Sequence, residues 1–419
     1  MFHHKLLITS FLCVVGLSGQ SVFNAYGLGL PQSFHQTSSA GVSSIGLVPT
    51  FKPGVSLDNP ATWSNLQFTY ISGSYSNRII GIDTNNSTNT GGGIEKIQFV
   101  IPIRNKYGVG FSIKPVNDHY SYFQTDSISF EFQDKIIQSN KIFRSGGGLM
   151  AGSFGLSMAL NEKMRFGLSV DKLFGSSRDE QSLILNTVQY RLFNIRTYSG
   201  STFNFNFAGE FFNNEKVIVL GFAEVVMTGK PVSGTLYQFD VFEDSNQNYS
   251  YDQEDYPSAA AIDTTSISNI YAPNSFSLGL NATFENDINI FTEFQLWNDE
   301  ATNADYASII KDQIGSKTHL GAGLVRFGDR GARSWQDRVT LRLGAYKEAY
   351  GLRQSGKTIN ENGISMGFGF KFSVTENQLD ISYRTGIRAI KGGHKEIIKD
   401  FTIGLSLGDL WFLRRRAKQ

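Results

Sequence analysis

Residues 273–297 read PNSFSLGLNATFENDINIFTEFQLW. Phe276, Leu278, Leu280, Ala282 and Phe284 alternate with Ser275, Ser277, Gly279, Asn281 and Thr283. After a turn at Glu285, Asn286 and Asp287, alternation resumes with Ile288, Ile290, Phe294 and Leu296 against Asn289, Glu293 and Gln295. Two strands of about ten residues, apolar on one face and small or polar on the other, match a transmembrane β-barrel hairpin. A soluble barrel turns its apolar face inward, so one hairpin does not separate the two. Repetition of the unit behind an export segment does.

The export segment is His3-His4-Lys5 followed by an apolar run from Leu6 to Leu17 and then small residues. This reads as a signal peptide over 1–21, with cleavage expected after Ser18 or Ser21. The single cysteine, Cys13, falls inside it, so the mature chain has no disulfide and no thiol chemistry. The 419 residues carry a formal charge of +1, which implies no nucleic-acid partner. Thirty-four Phe, seventeen Tyr and forty-three Gly against nine Pro favour strand over helix. Mean hydropathy is slightly negative, as when half of every strand faces water.

Residues 22–65 are rich in Gly, Ser and Pro, lack sustained alternation, and are too long for a linker. They read as a plug folded into the barrel mouth. Strand-like stretches then follow at about 66–75, 95–103, 107–116, 147–160, 164–174, 201–211, 216–227, 274–284, 288–297, 315–327, 337–347, 361–373, 378–386 and 398–412. Tight links such as 161–163, 213–215 and 375–377 alternate with long connections at 76–94, 117–146, 175–200, 228–273, 298–314, 348–360 and 387–397. The fold expected is an all-β transmembrane antiparallel barrel of about fourteen strands over 66–412, in a bacterial outer membrane. A basic tail at 413–419 follows Trp411-Phe412, an aromatic end that suits the membrane interface and the barrel-assembly machinery.

Facing follows from charge. Arg342 alternates with Leu341 and Leu343, and an Arg toward lipid at mid-membrane would cost about 2–4 kcal/mol, so it belongs to the lumen. Asn204, Asn206, Asn281, Glu293 and Lys371 share that face and predict a wet or plug-filled interior. The pairs Gly321/Gly323 and Gly367/Gly369 read as small lumenal residues leaving room for the plug. Tyr70, Tyr75, Tyr107, Phe111, Tyr120, Tyr122 and Phe123 form a candidate apolar capture region, with an interface girdle as the alternative.

Several motifs resemble the FadL/TodX family of outer-membrane transporters for hydrophobic compounds. These are Tyr26-Gly27-Leu28-Gly29-Leu30-Pro31, Asn59-Pro60-Ala61 before the first strand, Pro273-Asn274-Ser275-Phe276, Trp297, and the final Gly-Leu-Ser-Leu-Gly strand. The resemblance implies a fourteen-stranded barrel with an N-terminal hatch and a lateral opening where a strand kinks inward. Long-chain fatty-acid-like molecules would pass sideways into outer-membrane lipid. Carried over, Asn59, Pro60 and Ala61 would form the hatch beside the opening. Tyr107 and Phe111 would lie on the third strand, whose glycines and Pro115 allow the kink. Barrels of the PorV type begin with a similar plug motif, and they imply the alternative of binding exported proteins through the loops.

One loop carries a further motif. Asp244, Asn246, Asn248, Asp252 and Asp255 occupy positions 1, 3, 5, 9 and 12 of a twelve-residue loop, the spacing of a calcium loop. Tyr249 stands where the turn glycine would be. A structural Ca²⁺ there or a solvated acidic loop are the two readings, and no other cofactor is required. The triple glycines 91–93 and 146–148 lack the Lys-Ser/Thr of a phosphate cradle and read as loop-to-strand junctions. His35, His119, His319 and His394 show no metal spacing, and nothing singles out an enzyme.

Overall fold

The computed structural model describes residues 21–410, except 83–86, 104–105, 259–260, 286–287, 304–309, 311, 330, 333, 373–374 and the side chains of Ser87 and Phe132. Residues 1–20 of the signal peptide expected over 1–21, the turn residues Asn286 and Asp287, Trp411-Phe412 and the 413–419 tail lie outside the described residues. Among those described, fourteen long strands close one antiparallel barrel. They are β1 (Thr69–Ile82), β2 (Ser87–Ile103), β3 (Tyr107–Pro115), β4 (Lys135–Ala159), β5 (Met164–Leu185), β6 (Val188–Asn213) and β7 (Val217–Phe239). The other half comprises β8 (Pro273–Phe284), β9 (Ile288–Asp299), β10 (Ile314–Arg326), β11 (Val339–Leu352), β12 (Thr358–Phe372), β13 (Asn377–Ile390) and β14 (Lys395–Asp409). β1 closes on β14 from Thr69↔Asp409 to Ile82↔Glu396.

Every predicted strand overlaps one of these. The facing is that of a membrane barrel: on β12 Ile364, Met366, Phe368 and Phe370 are exposed outside, while Glu361 and Ser365 are buried inside. At the end bearing both termini of the wall, here the near end, the turns are short. Asn161 and Asn214 cap two of them, each side-chain oxygen accepting from the N–H groups two and three residues on.

The far end differs from the expectation. Much of the predicted loops 117–146, 175–200 and 228–273 is strand: β5 and β6 run on past the barrel to a two-residue turn at Asn186 and Thr187. Apolar alternation stops there because exposed positions such as Ser176, Gln181 and Thr197 are polar as well, not because pairing stops. Arg196 reaches Asp179 at 2.5 Å, and Arg191 pairs with Glu180 across the same ribbon.

Residues 21–66 thread the lumen from far mouth to near end rather than filling only one mouth. Ser21 Oγ donates to Glu396 at 2.7 Å, near the far rim. Leu30–Pro31 pairs with 117–118, a helical turn at Thr37–Ala40 lies against β12, β13 and β14, and a 3-10 turn at Pro60–Asn65 rests on β3, β4 and β5. Small lumenal residues make the fit: a Cβ on Gly110 would lie 2.6 Å from the Trp63 ring, and one on Gly367 2.9 Å from Gly41.

Candidate functional site

The barrel wall is interrupted at its third strand. β2 pairs with β3 from Ile103↔Tyr107 only as far as Ile97↔Ile113, then continues to Ser87 with β1 as its partner. β3 ends at Pro115, which has no N–H to give to a ladder. The chain then turns into the lumen, and Asn117 and Asp118 pair with Pro31 and Leu30 of the plug. Val116 still donates to Leu149 O at 2.8 Å, and Gln32 N–H donates to Val116 O at 2.9 Å. Asn117 Oδ1 accepts from Leu149 N at 2.9 Å, and its amide donates to Leu28 O. This one side chain thus satisfies wall and plug at the break.

The chain returns to the wall at Ser121–Gln124, pairing with β4 but not with β2. A gap therefore stands between β2 and β4, with a cavity of about 590 Å³ lined by Gly93, Ile94, Pro115, Tyr120, Gly148 and Met150, among others. The triple glycines, expected at loop junctions, lie within β2 and β4 and flank this gap. In β4 glycine is required at Gly147, which has φ +83° and where a Cβ would meet Ser176 O at 2.2 Å. The gap borders the outward apolar face: Ile94, which lines it, is 59% exposed, and Ile97 of the same strand is exposed as well.

The hatch residues sit elsewhere. Asn59 caps the 3-10 turn, accepting from Ala61 N at 3.0 Å and donating to Leu47 O at 2.8 Å. Pro60 and Ala61 lie against Gly167 of β5 toward the near end. Tyr107 and Phe111 face outward, 43% and 51% exposed, and the Phe111 ring meets Phe154 at 5.0 Å. Strand parity places Gly108 and Gly110, not Tyr107 and Phe111, against Trp63 of the hatch. The structure does not bring these two predicted sets together. Nor do the seven aromatics form one capture region: Tyr70 is buried at the near end against Phe51, whereas Tyr120 lines the gap.

Arg342, Glu293 and Lys371 are buried inward as expected. Arg342 donates to Asp380 at 2.6 Å and to Thr50 O of the plug at 3.1 Å. Glu293 accepts from Ser44 Oγ, Ile45 N and Val48 N at 2.8–2.9 Å. Arg342 and Glu293 thus anchor the plug, while Lys371 donates to Gly328 O of a near-end turn at 3.3 Å. Sequence parity found their facing; it carried no signal for their partners or for Asn117.

In the 244–255 loop, Asp244 packs against Arg191 at 2.6 Å and accepts from Tyr249 N at 3.3 Å. Tyr249, at the glycine position, has φ +67°. Asp255 accepts from Ser245 N and Asp252 N, and Asp252 from the Asn246 and Asn248 amides. Hydrogen bonds from Glu254 N–H and Asn246 hold the exposed Asp252 carboxyl below its ordinary pKa. Among the described residues no three His, Cys, Asp or Glu side chains gather closely enough to hold a metal.

A family model described as BamG matches residues 1–418. The chain belongs to the BamG family. No curated protein matches it. Solved structures similar to this BamG-family barrel include a Pseudomonas aeruginosa FadL homologue, at 11% identity and TM-score 0.54, covering 90% of this chain and 98% of that one. The CymD monoaromatic hydrocarbon channel follows at 12% and 0.52, covering 91% and 99%. The Ralstonia pickettii toluene transporter TbuX stands at 12% and 0.52, covering 93% and 100%. At such identities the likeness is one of fold, and it is the FadL-type outer-membrane fold that the sequence motifs resembled.

Proposed function

We propose that this barrel passively takes up hydrophobic or amphipathic small molecules, fatty-acid-like in class, which pass sideways through the gap between β2 and β4. The observation that carries this reading is the departure of the chain from the wall at Pro115, which leaves a cavity bordered by the outward-exposed Ile94. The plug supports it by filling the straight path through the lumen, so that a lateral route is the shorter one. Gly93 offers the test, because it lines the cavity and a Cβ there meets nothing within 4 Å. Gly93→Trp is expected to cut uptake of radiolabelled dodecanoate and toluene at least fivefold, with unchanged heat-modifiable gel mobility of the folded barrel. Unchanged uptake of both overturns the reading.

A second reading is engagement of other proteins, exported chains or the barrel-assembly machinery that the family name suggests. What favours it is the sheet of β4–β7 beyond the barrel rim, edged by Ile128–Phe132 and Ile262–Tyr271 and carrying exposed Ile128, Ile136 and Tyr256. Co-purification that survives Gly93→Trp but is lost on deleting 240–257 would favour it over uptake.

For the 244–255 loop, calcium binding is part of the proposal. Asp244 Oδ1 is buried without a partner, and a turn of the Asn246 and Asn248 amides would present oxygens instead of donors beside Asp252. Terbium luminescence sensitised by Tyr249 and Tyr251, competed by calcium and lost in Asp244→Asn, is the expected result. No luminescence above that of the Asp244→Asn variant leaves a solvated loop.

A further inference from the structure

Behind the gap lies a second space. Gln32 lines the gap cavity and also a lumenal chamber of about 170 Å³, so its side chain stands between the two. Its N–H is fixed on Val116 O, while its Oε1 is buried with no partner. The chamber has apolar walls at Tyr271 and Trp297, but it is not an apolar tunnel.

Two of its cations are matched within the protein: Lys96 with Asp58 at 2.8 Å and Lys317 with Glu348 at 3.3 Å. Lys114, the last inward residue of β3 before Pro115, lines the chamber and makes no ion pair within 4 Å among the described residues. Glu224 of β7 and Asp171 of β5 also line it without a cationic partner at that distance. Asp171 accepts from the Asn204 amide at 3.0 Å, but its Oδ1 and Asn204 Oδ1 are buried and unpartnered. The chamber thus offers one ammonium and two carboxylates without an ion-pair partner within 4 Å, with Lys114 acting on Glu224 only at longer range. Charges without close partners away from bulk water are costly, and a group carrying both signs meets the ammonium and supplies a cation to the two carboxylates.

We infer that the chamber receives the zwitterionic head of an amphiphile, its anionic group on Lys114 and its ammonium between Asp171 and Glu224. The tail then runs past Gln32 into the gap, where Ile94, Pro115 and Met150 suit an acyl chain. A simple fatty acid would set its carboxylate near Asp171 and Glu224, and a hydrocarbon would leave every charge unmatched. The inference rests on the lateral route proposed above and narrows its substrate class.

The test is calorimetric titration of the full barrel in lipid nanodiscs with three twelve-carbon probes: lauroyl lysophosphatidylethanolamine, dodecanoate and dodecyl maltoside. The zwitterion is expected to bind at least tenfold more tightly than the other two. Glu224→Gln is expected to weaken the zwitterion at least fivefold while leaving dodecanoate equal or tighter. Lys114→Met is expected to weaken both. Dodecanoate binding as tightly as the zwitterion, or Glu224→Gln leaving the zwitterion unchanged, overturns the inference. Uptake of apolar probes that Gly93→Trp blocks, without head-group selectivity, overturns it while leaving the lateral route standing. Loss of Gly93→Trp sensitivity removes both.

Discussion

The carboxylate of Glu293, on β9, accepts the backbone N–H of Val48 at 2.8 Å. With its second oxygen on Ile45 N and a further bond from Ser44 Oγ, it organises the whole 44–48 turn of the plug. The acid is buried, so the amides supply the solvation it lost, and each partner depends on the other. Glu293→Gln turns one acceptor into a donor facing an N–H. Plug docking is expected to weaken by about 2–4 kcal/mol. Planar-bilayer recordings should then show open-channel events, and hydrogen exchange at 45–48 should accelerate; an exchange-silent variant would mean that packing alone holds the plug.

Arg342 and Asp380 provide a second anchor. Breaking this buried pair from one side, by Arg342→Met, leaves Asp380 uncompensated and is expected to cost about 3–5 kcal/mol. The double variant with Asp380→Leu should recover part of that in urea unfolding from micelles, though not the bond to Thr50 O. A double variant no better than the single one would show that the Thr50 contact dominates.

Trp63 is wedged against β3 and β4, where a Cβ on Gly110 or Gly155 would lie 2.6–2.8 Å from its ring. Gly110→Val is expected to prevent the hatch from docking, and Trp63→Ala to destabilise it by about 3–5 kcal/mol. Combined, they should assemble better than Gly110→Val alone, because the valine then enters the vacated space. Heat-modifiable mobility on gels measures this.

The far-end turn 353–356 depends on Asp312. Burial works against its carboxylate, but hydrogen bonds from Ser355, Gln354 and Gln313 outweigh it and hold its pKa below the ordinary value. A depressed pKa contributes stability above the unfolded value of about 3.9, lost as pH falls through the folded one. Exchange protection of the Gln354 and Ser355 amides, corrected for intrinsic rate, should hold at pH 5 and fall away below about pH 4. Asp312→Asn should show no such step.

What the sequence determined by itself was everything that period two can carry. Alternation located all fourteen strands, and the cost of a charge in lipid set Arg342, Glu293 and Asn281 inward. The resemblance put Tyr107 and Phe111 on the strand beside the hatch, whereas parity with inward Lys114 turns them outward and sets Gly108 and Gly110 against Trp63. The far-end strands from 175 to 200 were illegible for a different reason: exposed positions such as Ser176, Gln181 and Thr197 are polar like the buried ones, so the strands pair without alternating in hydropathy. Only the tertiary structure decided the break in the wall. Pro115 permits a strand to stop, but the inward turn needs Leu30–Pro31 to pair with 117–118 and Leu149 to be met by Asn117, contacts made between distant stretches of the chain. Such partners leave no local period, and they decide that the wall of this barrel is interrupted at its third strand.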